Sequence, residues 1–208
     1  MNAELKNYSL YLVLDTQVCG YERLFEILKT AVNNGVDIIQ LRDKSGPARE
    51  TLQFATRVVG YLRRKVPFIV NDRVDIAKAA KADGVHLGQD DLPLESARRI
   101  LGKRAIIGLS CQTLDQARLA QKGAADYIGF GSVFKTLTKP GRSPMRLKFL
   151  KTVCQEIRIP VFAIGGIDLE NICQLKKYRI QRVAVTRAIC AASDVESACR
   201  ELRKILKS

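Results

Sequence analysis

The chain has 208 residues, of which 47% are hydrophobic and 27% are charged. This composition excludes a disordered chain, and the lack of any run of about 18 apolar residues excludes a membrane-spanning one. Lys and Arg outnumber Asp and Glu by 35 to 21, a net charge of +14, which favours anionic partners such as phosphorylated small molecules, a membrane surface or nucleic acid. The first residues carry acids at Glu4 and Asp15 and lack a signal-peptide cleavage site, so we expect a cytoplasmic protein.

Eight short apolar segments alternate with segments of helical periodicity along the chain. We predict strands at 9–15, 37–43, 67–72, 84–88, 105–110, 127–134, 160–166 and 182–188. Near-continuous apolar strands separated by helices indicate a parallel sheet. Eight such units predict an α/β fold, a closed (β/α)8 TIM barrel, with residues 1–208 as a single domain. Active sites of such barrels lie at the carboxyl ends of the strands, where we sought candidate residues.

The second predicted strand ends in the sequence QLRDK, residues 40–44. Because side chains alternate along a strand, Gln40, Arg42 and Lys44 share one face. If that face lines the barrel mouth, its amide, guanidinium and ammonium groups suit a phosphate or diphosphate. The alternative, a solvated strand end, is disfavoured because an inward-facing Gln and Arg are costly to bury unless they are paired.

Acidic residues follow the third and fourth predicted strands. Asp72 comes after Asn71, and Asp90 and Asp91 close the segment HLGQDD. Neighbouring strands lie about 5 Å apart, so carboxylates from both ends could reach one Mg²⁺, which proteins hold with one or two carboxylates plus substrate phosphates. Alternatively, Asp72 caps the helix that follows it, and Asp90 or Asp91 caps the next one. Residue types leave open which of Asp90 and Asp91 faces the ion.

The fifth strand ends at Ser110, which either hydrogen-bonds a phosphate or, like Thr113, caps the helix that follows. Cys111 is a weak candidate nucleophile because the only histidine of the chain, His86, lies within the fourth strand. We expect His86 to be buried and hydrogen-bonded rather than to act in acid–base chemistry.

The remaining strand ends indicate a second anion site. The loop after the sixth strand, residues 135–139, offers threonine hydroxyls between two lysines. The seventh and eighth strands end at Gly166 and at Thr186-Arg187, where barrels often bind phosphate through backbone N–H groups. No nucleophile or strong general base stands out, which suits a reaction in which a metal-bound diphosphate simply leaves.

The segments QLRDK, VNDR, GVHLGQDD, GLSCQT, VFKTLTK and FAIGGI, in this order and spacing, resemble the thiamine-phosphate synthase (thiamine-phosphate pyrophosphorylase) family over essentially the whole chain. The resemblance implies a transferase that joins hydroxymethylpyrimidine diphosphate to hydroxyethylthiazole phosphate by dissociative substitution. It implies that the diphosphate contacts Gln40, Leu41, Arg42, Asp43, Lys44, Asn71, Ser110 and Lys139. Of these, the expected catalytic residues are Arg42, Ser110 and Lys139. It also implies Mg²⁺ at Asp72 and Asp91, and thiazole phosphate at Thr136, Leu137, Thr138, Gly166, Thr186 and Arg187.

The chain departs from the family pattern at four positions: Gln112 for a usual His, Lys135 for Pro, Arg146 for Gly and Arg187 for Ser. These changes cluster on the thiazole side, which we therefore expect to differ most. Two rival readings are a thiazole tautomerase of the same superfamily, which usually lacks the magnesium acids, and a non-catalytic phosphate or nucleic-acid binder. We expect small phosphorylated substrates and no nucleic-acid or membrane partner, and leave homo-oligomerisation open.

Overall fold

A closed barrel of parallel strands organises the molecule. The computed structural model describes residues 3–136 and 143–207. Within these ranges eight strands close in sequence order, each pairing with the next and β8 returning to β1. The strands are β1 Leu10–Asp15, β2 Ile38–Arg42, β3 Phe68–Asn71, β4 Gly84–Leu87, β5 Ile106–Cys111, β6 Tyr127–Phe130, β7 Val161–Ile164 and β8 Val183–Val185. The predicted (β/α)8 barrel is confirmed.

Helices of the described ranges surround the barrel. They are α1 Tyr21–Asn33, α2 Ala48–Leu62, α3 Val74–Ala80, α4 Leu94–Leu101, α5 Leu114–Lys122, α6 Leu147–Glu156, α7 Ile172–Lys176, α8 Arg187–Cys190 and α9 Val195–Lys207, with a 3₁₀ helix over Ala3–Asn7 before β1. None of them combines the length and apolar character needed to cross a membrane. Most strands end earlier than predicted, because the polar residues after each apolar run leave the sheet and form the βα loops.

The alternation of side chains along the strands builds two apolar cores. On β1, Leu10, Leu12 and Leu14 pack outward against the helices, whereas Tyr11 and Val13 point into the barrel. The outward positions are apolar because the helices cover them, which removes that surface from water.

An aromatic layer fills the barrel interior. Tyr11, Tyr127 and Phe162 are fully or almost fully buried, and their ring centroids lie 5.4–5.7 Å apart in tilted or edge-to-face contacts. Leu5 of the 3₁₀ helix belongs to the same buried cluster. The layer forms a floor beneath the carboxyl ends of the strands.

Candidate active site

A cavity of about 290 Å³ lies at the carboxyl ends of the strands, above the aromatic floor. Its lining comes from the ends of β1 to β8 and from the loops after β6, β7 and β8. The predicted site residues that line it are Gln40, Arg42, Asn71, Ser110, Thr136, Gly166, Thr186 and Arg187. The barrel therefore gathers, around one space, residues that are far apart in the sequence.

Strand β2 places two buried polar side chains on the cavity wall. Gln40 is 4% exposed and Arg42 is 8% exposed. Arg42 Nη1 donates to Asp15 Oδ2 at 2.7 Å and to Gln17 Oε1 at 2.9 Å. Asp15 is fully buried at the end of β1, so the guanidinium is held by a charge-assisted hydrogen bond before any ligand arrives. Sequence reasoning missed Asp15, although a buried Arg at a strand end requires such a partner.

The two alternate residues of the same motif face away from the cavity. Leu41 is fully buried between the barrel and its helices. The Asp43 carboxylate accepts hydrogen bonds from Thr16, Tyr21, Thr51 and the Gly46 N–H. Burial opposes ionisation of Asp43, but these bonds together outweigh it and lower the pKa. Leu41 and Asp43 are not part of the described cavity lining, and the contact with the pyrimidine diphosphate that the resemblance implies for them stays a prediction.

The structure brings the two predicted metal ligands, Asp72 and Asp91, together. Burial raises the pKa of Asp72, the neighbouring Asp91 raises it further, and Lys44, which donates to Asp72 Oδ2, only partly offsets both. Asp91 Oδ2 accepts the Gly88 N–H at 2.7 Å. The next carboxylate along, Asp90, is exposed.

The alternative that Asp72, Asp90 or Asp91 caps a helix is wrong. Helices α3 and α4 follow Arg73 and Pro93, which serve as their N-caps without a side-chain hydrogen bond. Asp72 instead has φ +60° and donates its backbone N–H to His86 O at 2.8 Å. Asp tolerates this left-handed conformation better than most residues.

Among the described residues, no cluster of three or more His, Cys, Asp or Glu side chains is arranged to hold an ion. Two close carboxylates on adjacent strand ends, with an ammonium beside them, still fit Mg²⁺, which completes its shell with water and substrate phosphate oxygens. The donor set is therefore suited to an ion that is bound together with a phosphorylated ligand.

A chain of buried hydrogen bonds crosses the barrel beneath the cavity. Gln40 Nε2 donates to Tyr11 Oη at 2.7 Å, and Tyr11 Oη lies 2.8 Å from Tyr127 Oη. Tyr127 Oη is 3.0 Å from His86 Nδ1, and His86 Nε2 is 2.9 Å from Ser110 Oγ. Burial raises the pKa of both phenols. The expectation that His86 is buried and hydrogen-bonded is confirmed, whereas the two tyrosines escaped sequence reasoning because each looks like an ordinary apolar strand residue.

The end of β5 settles the remaining capping question. Thr113, not Ser110, caps α5 in a capping box with Gln116. Ser110 instead lines the cavity beside Cys111. Burial raises the pKa of the Cys111 thiol to about 12, so it stays protonated and is a poor nucleophile.

The part of the cavity lining over β6 to β8 contains four glycines, Gly129, Gly131, Gly165 and Gly166. Gly165 and Gly166 have φ values of +107° and +64°. A Cβ at Gly165 would overlap Ser132 Oγ, and one at Gly166 would overlap the Lys135 carbonyl oxygen. Glycine is required at both positions by conformation and by space, and both glycines line the cavity.

The cations of this wall are exposed. Lys135 and Arg187 line the cavity, while Gln112 and Arg146, the other departures from the family pattern, are exposed and are not part of the lining. The predicted residues Leu137, Thr138 and Lys139 lie outside the described ranges. Two of the four departures thus face the cavity.

Comparisons with known proteins agree with one another. A family model described as thiamine monophosphate synthase matches residues 10–189. The thiamine-phosphate synthase of Syntrophomonas wolfei is 46% identical over 201 residues, covering 96% of each chain. That of Halalkalibacterium halodurans is 41% identical over 206 residues, covering 98% of this chain and 97% of the other. The matches span the barrel from its first strand to its last helices.

Solved structures show the same relation. A thiamine phosphate pyrophosphorylase from Pyrococcus furiosus superposes with a TM-score of 0.87 at 37% identity, covering 99% of this chain and 98% of that one. A 3-hexulose-6-phosphate synthase superposes with a TM-score of 0.72 at 19% identity, over 95% of this chain and 99% of the other. The second likeness shows the shared barrel fold alone.

Proposed function

Because the chain belongs to the thiamine monophosphate synthase family, it is a transferase that forms thiamine phosphate, and we propose that both of its substrates bind in the cavity at the carboxyl ends of the strands. One observation carries this placement. The inward polar side chains of β2 to β5 and the glycine backbone after β7 line a single cavity of about 290 Å³. The relatives from Syntrophomonas wolfei and Halalkalibacterium halodurans are both named thiamine-phosphate synthase, which favours the synthase over the tautomerase alternative.

The first substrate is 4-amino-2-methyl-5-hydroxymethylpyrimidine diphosphate, held over β2 to β5. Arg42, fixed by Asp15, presents its remaining N–H groups to the diphosphate, and Asn71 and Ser110 line the same wall. Lys44 lies beside Asp72 and supplies a further positive charge. Lys139, outside the described ranges, is proposed for the same substrate from the family resemblance.

Asp72 and Asp91 are the residues that would hold Mg²⁺. When bound there, the ion would neutralise charge on the diphosphate and favour its departure. The raised pKa of Asp72 reflects two acids kept close in a partly buried place, an arrangement that a divalent cation would stabilise. The pair is therefore the proposed metal site, with substrate oxygens and water completing the shell.

The second substrate is 4-methyl-5-(2-hydroxyethyl)thiazole phosphate, held over β6 to β8. The backbone at Gly166 and at Thr186-Arg187 would receive its phosphate, and Thr136 lies on the same wall. This binding brings the thiazole nitrogen to the pyrimidine methylene carbon. The C–O bond to the diphosphate breaks with its electron pair on the leaving oxygen, and the nitrogen lone pair forms the new C–N bond.

The residues around the reacting atoms supply position and charge rather than a nucleophile. Cys111, the thiol found among the described lining residues, is protonated, and His86 is engaged with Tyr127 and Ser110. A dissociative substitution needs neither of them as a nucleophile. The net charge of +14 would attract the two phosphorylated substrates. We expect neither nucleic acid nor a membrane as a partner.

The activity is tested by mixing the purified protein with both substrates and Mg²⁺ and measuring thiamine phosphate as thiochrome fluorescence after oxidation. We expect product only when both substrates and the metal are present. Omission of the thiazole phosphate and chelation of the metal are the two controls. Intact substrates after prolonged incubation in the complete mixture would overturn the proposal.

A further inference from the structure

The buried hydrogen-bond chain beneath the cavity joins two residues assigned to the substrate. It begins at Gln40 on β2 and ends at Ser110 on β5, and both of these line the cavity. Its middle members, Tyr11, Tyr127 and His86, are at most 7% exposed. Polar groups this deeply buried are retained only when each is satisfied, so the chain acts as one unit.

The direction of the hydrogen bonds follows from its first member. The amide nitrogen of Gln40 can only donate, so the Tyr11 oxygen accepts there and turns its own hydrogen towards Tyr127. Tyr127 then donates to His86 Nδ1.

The direction continues through the imidazole. A histidine that accepts at Nδ1 and is neutral carries its hydrogen on Nε2, and this hydrogen points at Ser110 Oγ, 2.9 Å away. Ser110 Oγ therefore accepts a hydrogen bond from His86, and its own hydroxyl hydrogen is left to donate to a different acceptor. The cavity is the space that Ser110 lines.

We infer that Tyr11, Tyr127 and His86 are positioning residues that give the two ends of the chain opposite and fixed polarity. Gln40, whose nitrogen donates one of its two hydrogens to Tyr11, is thereby oriented with its carbonyl oxygen as an acceptor. Ser110, which accepts from His86, presents its hydroxyl as a donor. A ligand with an amino group at one end and a phosphate at the other satisfies both at once, in one orientation only.

This inference rests on the proposed placement of the amino-pyrimidine diphosphate at Gln40 and Ser110, and it extends that placement to Tyr11, Tyr127 and His86, which line the floor of the cavity and act through those two residues. Two glycines make the chain possible. A Cβ at Gly108 would overlap the Tyr127 ring near its hydroxyl, and one at Gly129 would lie 3.2 Å from His86 Cε1. Glycine at these two positions thus leaves room in the barrel interior for the side chains of the hydrogen-bond chain.

The first test uses nuclear magnetic resonance and needs no substrate. The protein contains one histidine, so long-range proton–nitrogen spectra of the ¹⁵N-labelled full chain report His86 without ambiguity. We expect a neutral ring with hydrogen on Nε2 and a hydrogen-bonded, unprotonated Nδ1. In Tyr127→Phe the Nδ1 resonance should move towards that of a nitrogen without a hydrogen bond. Hydrogen on Nδ1 in the wild type, or an unmoved resonance in the variant, would overturn the inference.

The control for that spectrum is Tyr61→Phe. Tyr61 lies on α2, where its ring packs against Phe25 at a centroid distance of 5.5 Å, and it takes no part in the hydrogen-bond chain. The change in chemistry is the same as in Tyr127→Phe, so an effect on His86 from both variants would mark a general loss of packing.

The second test is a double-mutant cycle on kcat/KM for the pyrimidine diphosphate. Without Tyr127 the imidazole can adopt the other tautomer, and Ser110 then donates to it instead of to the ligand. We expect Tyr127→Phe to lower kcat/KM about tenfold, the size of one lost hydrogen bond, and to have less than about a twofold effect in a Ser110→Ala background. Equal effects of Tyr127→Phe in the wild-type and Ser110→Ala backgrounds would show that Tyr127 does not act through Ser110, which would contradict the inference.

The conservative variant His86→Gln completes the design. A glutamine side-chain nitrogen can still donate to Ser110, so this variant should retain more kcat/KM than His86→Leu. Equal losses would show that only the packing of residue 86 matters. An inactive wild type with the expected His86 tautomer would count against the proposed substrates. An active wild type with the other tautomer would count only against the role proposed for the hydrogen-bond chain.

Discussion

The two halves of the cavity hold their polar groups in different ways. On the side of β2 to β5 the side chains are fixed by one another: Arg42, which lines the cavity, is held by Asp15, and Lys44, in the loop after β2, is held by Asp72. Over β6 to β8 the lining includes four glycines, whose backbone a ligand can approach closely, and exposed cations at Lys135 and Arg187. A half built from paired side chains should fail when one partner is removed. A half built from backbone should fail only when its space is filled, and should tolerate changes in the cations around it.

The largest effect is expected from the paired half. Asp91→Ala removes one of the two carboxylates proposed for Mg²⁺, and we expect turnover to fall at least about a hundredfold at fixed Mg²⁺. Initial rates measured over a range of Mg²⁺ concentrations, with circular dichroism to verify the fold, check this. The matched control is Asp90→Ala, because Asp90 is exposed and should give near-normal rates. Normal turnover in Asp91→Ala would remove that residue from the metal site.

The next largest effect is expected when a side chain is added at a glycine that lines the cavity. In Gly166→Ala the new methyl group would overlap the Lys135 carbonyl oxygen at a φ of +64°, and we expect KM for thiazole phosphate to rise about tenfold or more. Gly60→Ala is the control, since a Cβ at Gly60 of α2 meets nothing within 4 Å and should stabilise the helix by about 0.5–1 kcal/mol. An unchanged KM in Gly166→Ala would contradict the backbone-built site.

Asp43→Asn tests the hydrogen bonds that the Asp43 carboxylate accepts behind β2, and it should lower the stability of the fold. The folded pKa of Asp43 lies below its usual value, so its contribution is fully present at neutral pH and is lost as the pH falls through the folded pKa. We expect the free energy of unfolding at pH 7 to drop by about 1–3 kcal/mol, with the difference from wild type shrinking on acidification below about pH 4. Urea unfolding at several pH values measures it.

The control for that experiment is Asp115→Asn. The Asp115 side chain is 82% exposed in its ion pair with Arg118, and exposed pairs contribute less than about 1 kcal/mol. A pH-independent loss of stability in Asp43→Asn would show that the charge of Asp43 is not what matters.

The smallest effect is expected from the exposed cations of the backbone-built half. Arg187→Ser should raise KM for thiazole phosphate only about two- to fivefold, because solvent screens an exposed guanidinium, and the rise should diminish at high salt. Arg146→Ser, outside the cavity lining, should leave this KM unchanged. A loss of a hundredfold or more in Arg187→Ser would mean that the two halves are built alike.

The same contrast explains what could be predicted from the amino-acid sequence. Strand alternation alone separated Gln40 and Arg42, which line the cavity, from Leu41, which faces the helices, because a period of two is a local property. Lys44 lies beyond the end of β2 and is not part of the described lining. The Tyr11–Tyr127 contact joins residues 116 positions apart, and it depends on how the barrel closes and on the register of strands that never pair. No local pattern encodes that relation.

Capping showed a similar limit. Thr113 with Gln116 carries a complete local signal for a helix start, and the helix begins there. Asp72 and Asp91 carry half of the same signal, but Asp72 accepts a hydrogen bond from Lys44 after another strand, and Asp91 accepts one from the Gly88 N–H earlier in its own loop. Residue type alone could not decide between a local and a distant hydrogen-bond partner.

The aromatic floor has a consequence for the range of molecules that the barrel can accept. Three rings on β1, β6 and β7 set the depth of the cavity, and they pack against one another in tilted or edge-to-face contacts. Two of those rings also carry the hydroxyl groups that orient the walls, so they cannot be trimmed without disturbing recognition. Phe162 carries no such group and lines the cavity. Redesign for a bulkier ring system should therefore begin at this phenylalanine and leave the mouth loops untouched.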